Sequence, residues 1–219
     1  MKYTGRIVTF LMVLSINTTY ILYYFARDGA VSPIEIIGLP MMLALAWWFG
    51  NQYDKAKYYS EKDTLTGIYN RRFLEACFPK IKAMTKRNGQ KFAVLVIDIN
   101  DFKMINDRLG HKEGDRVLKT VAQELVKSVR DADIVARWGG DEFVILSPDL
   151  KMRENIELIV QRIHYNLSAA DLDVTVSIGT ALYPDDGESF EDLLKVADHH
   201  MYAMKFQSKQ PEYIPSPSN

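Results

Sequence analysis

The stretch that decides the fold is Arg137-Trp138-Gly139-Gly140-Asp141-Glu142-Phe143, which is followed at once by the apolar residues Val144-Ile145-Leu146. Residues 134–138 before the two glycines and residues 142–147 after them have the composition of strands. Two glycines between such runs predict a β-hairpin with Gly139-Gly140 as its turn. The hairpin would then carry two carboxylates at its tip, where they are held rigidly and stay exposed.

A third carboxylate is placed by the apolar run that extends from Phe92 to Asp98. A strand buried on both faces reads as an unbroken apolar run, so Asp98 stands where this strand leaves the core. Three carboxylates brought together repel one another unless cations lie between them. Hard oxygen ligands with open positions favour Mg²⁺, completed by the phosphate oxygens of a substrate. The alternative is that Asp141 and Glu142 are only solvated turn residues.

The remaining pattern alternates between helices and strands. Amphipathic periodicity or apolar runs predict helices over 71–88, 114–129, 152–167 and 189–206, and strands over 92–98, 134–138, 142–147 and 174–182. Helices interleaved with few strands, two of them in a hairpin, predict an α+β sandwich with a mostly antiparallel sheet. The tail, residues 210–219, is rich in proline and serine and is predicted to be disordered.

Composition limits the function classes. The net charge of −1 over 219 residues argues against a nucleic acid polymer as partner. The single cysteine, Cys77, excludes an intrachain disulfide framework and is most simply a small core residue.

The N-terminal part has the character of a membrane anchor, residues 1–50. Apolar segments at about 7–26 and 34–50 predict two transmembrane helices, the second closing on Trp47-Trp48 at a membrane interface. The polar residues 51–62 would continue the second helix as a connector. Lys and Arg flank the outer ends of the pair, which places both termini and the downstream domain in the cytoplasm of a multi-pass membrane protein. The alternatives are a cleaved signal peptide and a hairpin lying in the bilayer surface.

Several ordered motifs resemble one known family. Asp63-Thr64-Leu65-Thr66-Gly67-Ile68-Tyr69-Asn70-Arg71-Arg72 is similar to the opening signature of GGDEF domains, the diguanylate cyclases. Asp98-Ile99-Asn100-Asp101-Phe102-Lys103-Met104-Ile105-Asn106-Asp107 and Gly110-His111-Lys112-Glu113-Gly114-Asp115 resemble their metal and nucleotide segment, and residues 139–143 spell the name motif. The resemblance covers about residues 61–209, and the domain would span 63–209.

The resemblance implies a fold and a reaction. The fold would be a ferredoxin-like, palm-type α/β sandwich. The family condenses two GTP into cyclic di-GMP and releases two pyrophosphates. Each protomer holds one GTP, so turnover requires a homodimer, and the family is inhibited by its own product.

The resemblance also implies metal-binding and catalytic residues. Asp98, the backbone carbonyl of Ile99, Asp141 and Glu142 would hold Mg²⁺, two ions per half-site, with Mn²⁺ able to substitute. Asp141 and Glu142 would be the catalytic acids, and Asp141 is the family's proposed proton acceptor for the 3′-hydroxyl. Two metals can lower the pKa of that hydroxyl and stabilise charge on the α-phosphate.

Further positions match the family's substrate contacts. Asn106 and Asp115 match the residues that read guanine, because Asp115 can accept from N1–H and N2–H₂ while Asn106 both donates and accepts. The other matching positions are Phe102, His111, Lys103, Lys205 and Lys209. His111 has an alternative reading as a structural residue of a glycine-rich turn. Lys209 stands where the family usually has Arg, which keeps the charge and loses the bidentate geometry.

Arg130-Asp131-Ala132-Asp133 matches the family's inhibitory site by its offset from Gly139. The resemblance implies that Arg130 and Asp133 bind cyclic di-GMP and that Arg162 contributes from another protomer. By itself, Arg-x-x-Asp would be a local surface charge pair.

Four functions compete. The first is an active, membrane-anchored diguanylate cyclase, and the retained acids of the name motif favour it. The second is an inactive domain that senses cyclic di-GMP or GTP. The others are a membrane scaffold that only dimerises and a cyclase that forms a monocyclic nucleotide.

Overall fold

The computed structural model describes residues 3–150, 154–170, 172 and 174–207. The predicted disordered tail therefore lies outside the described residues. The chain separates into two compact units, Met1–Glu61 and Lys62–Asn219. The first unit consists of helices, and the second is an α+β domain.

The first unit has two helices packed against each other, α1 (Thr4–Asp28) and α2 (Pro33–Glu61). The Asp54 carboxylate of α2 accepts hydrogen bonds from the backbone N–H groups of Gly5, at 2.7 Å, and Arg6, at 3.3 Å. These are N–H groups of the first turn of α1, which have no partner inside the helix. Gly50 permits the close approach, since a Cβ there would lie 2.5 Å from the Cα of Arg6. Asp54 therefore both caps α1 and joins the two helices.

Among the helices of the described residues, only α1 is long and apolar enough to cross a membrane. This suggests membrane anchoring by length and composition alone. The second predicted transmembrane helix, at about 34–50, is not apolar enough, because Glu35, Gly38 and Pro40 interrupt its apolar residues. The predicted two-helix transmembrane hairpin and the multi-pass location are therefore not supported.

The second unit alternates strands and helices. Its elements are β1 (Tyr69–Asn70), α3 (Arg71–Asn88), β2 (Lys91–Ile99), α4 (Phe102–Leu109), α5 (His111–Ser128), β3 (Ile134–Gly139), β4 (Glu142–Leu150), α6 (Glu154–Ala169), β5 (Val176–Tyr183) and α7 (Phe190–Gln207). The predicted helices and strands are all present, with ends shifted by a few residues. The strand β1 and the separate short helix α4 were not predicted, because each is too short to show a period.

The five strands form one mixed sheet in the order β1-β3-β4-β2-β5. The short β1 runs parallel to β3, and the other three pairings are antiparallel. From β2 to β5, the spatial order β3-β4-β2-β5 is the split βαβ arrangement of ferredoxin-like folds. The predicted α+β class with a mostly antiparallel sheet is confirmed.

The central strand β2 is buried on both faces, which explains its unbroken apolar sequence. Leu95 and Ile97 pack in the core cluster that includes α5 and α6, whereas Phe92 and Val94 pack in the cluster that includes α3 and α7. All four side chains are fully buried. Burial of such side chains stabilises the fold by about 1.5–3 kcal/mol each. The packed core therefore holds the C-terminal end of β2, including Asp98, in a defined position.

The hairpin forms, but its turn differs from the predicted one. Gly139 belongs to β3 and pairs with Glu142, and a register irregularity separates Arg137 from Gly139. The turn residues are consequently Gly140 and Asp141. Gly140 has φ of +47°, a left-handed conformation that glycine adopts without strain. Of the two acidic residues, only Asp141 lies in the turn, because Glu142 is the first residue of β4.

Candidate active site

The acidic turn is held in place by Arg137. Its Nε and Nη2 atoms donate to the carbonyl oxygen of Gly140 at 3.0 and 2.7 Å, and its Nη1 donates to Asp63 Oδ1 at 3.2 Å. Asp63 in turn accepts from the backbone N–H and hydroxyl of Thr66 at 2.9 and 2.7 Å. The opening motif, residues 63–67, is thereby fastened to the turn. Sequence reasoning missed Arg137, and its position directly before Trp-Gly-Gly was the available signal.

Asp63 is expected to stabilise the fold in a pH-dependent manner. Burial alone would raise the pKa of its carboxyl, but the hydrogen bonds from Thr66 and the charge of Arg137 lower the pKa below its ordinary value of 3.8. A lowered folded pKa stabilises the protein above the unfolded pKa, and this stability is lost as the pH falls through the folded pKa. Asp63→Asn should cost about 1 kcal/mol at pH 7, and this difference should shrink as the pH falls below about 4.

The measurement is urea unfolding of both proteins in detergent between pH 7 and pH 3.5. The exposed ion-pair residue Glu75 provides a matched control as Glu75→Gln. A difference between Asp63→Asn and the wild type that stays constant with pH would show that the carboxylate charge does not contribute.

The fold brings Asp98 and Glu142 together. The two residues are direct partners across the antiparallel pair of β2 and β4. Only 7% of Asp98 is exposed, while Glu142 is half-buried. Asp141 joins them through the backbone, because the N–H of Ile99 donates to its carbonyl oxygen at 3.3 Å. The end of the central strand and the acidic turn therefore form one site, although the Ile99 side chain itself lies in the core.

A cation from the protein itself already contacts this site. Lys205 of α7 donates to Asp98 Oδ1 at 2.5 Å, and the two side chains are 27% and 10% exposed. In the described part of the chain, no three His, Cys, Asp or Glu side chains are grouped closely enough to form a ready metal site. The structure therefore differs from the expected cluster of three unpaired carboxylates. Asp98 faces Glu142, but its charge is compensated by Lys205.

The carboxyl groups influence one another. Burial, followed by the negative charge of Asp98, raises the pKa of Asp141 above its ordinary value. Burial also raises the pKa of Glu142, with further contributions from the charges of Asp98, Asp141 and Asp198. Lys205 acts in the opposite direction on both groups. The site therefore carries an excess of negative charge, which an added cation would relieve.

The positions predicted to read guanine lie on α4 and α5. An added Cβ at Gly114 would overlap the Oδ1 atom of Asn106 and lie 3.2 Å from Phe102 Cζ. Phe102, Asn106 and Gly114 are therefore packed together, and Asp115, the next residue of α5, is exposed beside them. Gly114 escaped the sequence reasoning. The available sequence signal was a glycine beside the apolar periodicity of α5, because glycine is unfavourable within a helix. The structure shows that this glycine is buried.

The other predicted substrate contacts are more scattered. His111 begins α5 and is exposed, and Lys103 is exposed in the first turn of α4. Lys205 contacts Asp98, as described above. Lys209 lies outside the described residues.

Two of the three predicted inhibitory residues, Arg130 and Asp133, lie in the connection between α5 and β3. One carboxylate oxygen of Asp133 accepts from the backbone N–H of Arg130 at 2.8 Å, and the other accepts from the Ser147 hydroxyl at 2.7 Å. Arg130 itself is exposed. Arg162 is exposed on α6. Asp133 thus shapes the turn, while the Arg130 side chain points to solvent-accessible space.

Asn100 supports the end of β2 through hydrogen bonds of its side chain. Its Nδ2 donates to Thr175 Oγ1 at 2.9 Å, and its Oδ1 accepts from Ser177 at 2.8 Å. These bonds join the residues after β2 to β5. The amide suits this position because it donates and accepts at once.

The mixed sheet, the strand-end carboxylate and the acidic turn define a GGDEF-type α+β domain. Residues 60–211 match the family model described as diguanylate cyclase, GGDEF domain. The chain therefore belongs to the GGDEF-domain diguanylate cyclase family.

Individual relatives agree with this assignment. The chain is 36% identical over 165 residues to the cyclic di-GMP phosphodiesterase NbdA of Pseudomonas aeruginosa, covering 71% of this chain and 21% of NbdA. It is 38% identical over 150 residues to the diguanylate cyclase DosC of Escherichia coli K12, covering 65% of this chain and 32% of DosC. The crystal structure of the GGDEF domain of PA1120 (YfiN or TpbB) from P. aeruginosa has a TM-score of 0.62 at 35% identity, covering 65% of this chain and 92% of that domain. The chain spans about a fifth to a third of the length of these two curated relatives.

Proposed function

We propose that the chain is a diguanylate cyclase that condenses two GTP into cyclic di-GMP and two pyrophosphates. The observation that carries the proposal is the pairing of Asp98 at the end of β2 with Glu142 at the start of β4, beside Asp141 in the turn. An inactive domain that binds only cyclic di-GMP would have no need for this concentration of negative charge.

The donor set fits a divalent cation such as Mg²⁺ or Mn²⁺. Carboxylate and carbonyl oxygens are the ligands that hard cations prefer. Burial first, and then the charge of neighbouring carboxylates, raises the pKa values of Asp141 and Glu142, and a bound cation would compensate that charge. Asp98, the carbonyl of Ile99, Asp141 and Glu142 would hold two ions. Bound metal would supply Lewis-acid stabilisation of phosphate charge.

The residues of the chain bind and orient the nucleotide. Asn106 and Asp115 would read guanine, with Phe102 and Gly114 holding Asn106 in position. Adenine lacks the pair of donors that Asp115 would accept, so ATP is excluded. The basic side chains of Lys103, Lys205 and Lys209, with His111, would contact the triphosphate or the nucleotide.

Each domain would hold one GTP, so the reaction requires two protomers facing each other. Holding both nucleotides in line converts the encounter of two substrates into an oriented reaction. Asp141 would accept the proton of the 3′-hydroxyl. We also propose that α1 attaches the protein to the cell membrane and that the domain faces the cytoplasm, where GTP is present.

The runner-up is a catalytically inactive domain that binds cyclic di-GMP or GTP. The relative NbdA is named as a phosphodiesterase, so similarity alone does not separate the two functions. The retained acids favour the cyclase.

The test is incubation of the full-length protein in detergent with GTP and Mg²⁺, followed by chromatography of the nucleotides and measurement of pyrophosphate. Cyclic di-GMP and pyrophosphate in a ratio of one to two are expected, with ATP unreactive. Tight binding of GTP or cyclic di-GMP without turnover would instead establish the sensor. A monocyclic product would overturn the proposed reaction.

Product inhibition gives a separate prediction. Arg130→Ala should raise the concentration of cyclic di-GMP required for half-inhibition by about tenfold or more, since it removes a charged contact with phosphate or guanine. Arg130 is the better test than Asp133, because Asp133 also holds the turn together. Initial rates are measured against added cyclic di-GMP, with Arg87→Ala on α3 as control. A wild type that the product does not inhibit would show that this site is wrong.

A further inference from the structure

The contact between Lys205 and Asp98 connects distant parts of the chain. Asp98 ends the central strand, whereas Lys205 lies in the last turn of α7, 107 residues later. The side chains of Lys205 and Asp98 are 27% and 10% exposed, and the ammonium lies 2.5 Å from the carboxylate oxygen Oδ1. A buried carboxylate needs such a partner, since burying an unpaired charge is strongly unfavourable.

The same carboxylate is the most buried of the three proposed metal-binding carboxylates. Asp98 is 7% exposed, and its cross-strand partner Glu142 approaches from β4. A divalent cation that binds Asp98 must therefore compete with the ammonium of Lys205 for a crowded, buried group. The ammonium and the metal would satisfy the same charge, and repulsion disfavours both together.

We propose that Lys205 is a placeholder cation, which neutralises Asp98 in the nucleotide-free protein and leaves it when a divalent cation binds. This inference rests on the proposed function. The flexible four-carbon stem of lysine lets the ammonium move from Asp98 to the triphosphate that arrives with the metal. Nucleotide-free protein then binds metal weakly, because no anion is present to receive Lys205. Metal and GTP binding are coupled, and the coupling acts equally in both directions.

The test is the affinity of the full-length protein for Mn²⁺ alone, measured in detergent without nucleotide by the electron paramagnetic resonance of free Mn²⁺. Lys205→Gln should bind Mn²⁺ about tenfold more tightly than the wild type, within the usual range of coupling between two sites. Lys205→Met keeps the aliphatic stem and should behave in the same way, so the comparison survives if one variant fails to fold. Lys205→Arg keeps the positive charge and should bind as weakly as the wild type. Lys119→Gln, on the exposed face of α5, removes the same charge elsewhere and controls for net charge.

Asp98→Asn separates this inference from the proposed function. In the double variant Asp98→Asn/Lys205→Gln, the gain in Mn²⁺ affinity should disappear, because the shared carboxylate is gone. If neither Lys205→Gln nor Lys205→Met binds Mn²⁺ more tightly, while wild-type protein still makes cyclic di-GMP and Asp98→Asn does not, the placeholder role is wrong and the cyclase stands. If the double variant keeps the gain, the metal does not bind at Asp98. Absence of product from the wild type would reject the proposed function whatever the Mn²⁺ affinities.

Discussion

Replacing Asp141 and Glu142 together with alanine is expected to lower cyclic di-GMP formation by at least about a thousandfold, while the protein stays folded. These two residues contribute two of the proposed metal-binding carboxylates, and lost electrostatic stabilisation of a transition state typically costs a hundredfold to a thousandfold for one group. The fold should survive, because both side chains are only half-buried and the excess of negative charge decreases. Initial rates at saturating GTP and Mg²⁺ give the effect on activity, and thermal unfolding reports the fold.

The matched control is Glu191→Ala, which removes an exposed acid from the first turn of α7 and should leave the rate unchanged. Undiminished turnover in the double variant would reject the assignment of these acids. Loss of turnover accompanied by unfolding would show a structural role instead, in contradiction to the account.

Gly179→Val is expected to lower the free energy of unfolding of the domain by about 3 kcal/mol or more, the upper end of the cost of overpacking a core. Gly179 lies in β5 opposite Val96, and a Cβ there would overlap the backbone carbonyl of Ala197 and the backbone N–H of Met201. Backbone atoms of a packed helix cannot move aside as a flexible side chain can, so α7 must shift from the sheet. Because α7 also carries Lys205, the contact with Asp98 should be lost with it. Hydrogen exchange in β2 and β5 and thermal unfolding of the full-length protein measure the effect.

Gly38→Val provides the comparison, since an added Cβ at Gly38 meets no atom within 4 Å. It should leave hydrogen exchange in β2 and β5 unchanged. If Gly179→Val unfolds at the same temperature as the wild type, the close packing of α7 on β5 is not as described.

The elements with strong local patterns could be predicted from the sequence. The strand β2 is recognisable because burial on both faces leaves only apolar residues between Lys91 and Asp98. The hairpin is recognisable because two glycines interrupt two apolar runs. The expectation that Asp98 lies beside the acidic turn is confirmed by the pairing of β2 with β4.

The details that depend on long-range contacts could not be predicted. The turn shifts by one residue, to Gly140 and Asp141, with Arg137 bonded to the Gly140 carbonyl and to Asp63, which lies 74 residues earlier. The contact of Lys205 with Asp98 likewise depends on how α7 packs against the sheet. Neither contact leaves a periodic signal. For the second apolar segment, by contrast, a local pattern was misleading. Its short apolar run predicted a transmembrane helix that the composition of α2 does not support.

The central claim is that a divalent cation binds between the end of β2 and the acidic turn. The most direct measurement is a crystal structure of the domain with Mn²⁺ and a non-hydrolysable GTP analogue, in which anomalous scattering locates the metal. The account predicts Mn²⁺ within coordination distance of Asp98 and Glu142 oxygens, about 2–2.3 Å, with Lys205 turned from Asp98 to the phosphates. Mn²⁺ bound elsewhere, with Lys205 still on Asp98 and the nucleotide in place, would contradict it.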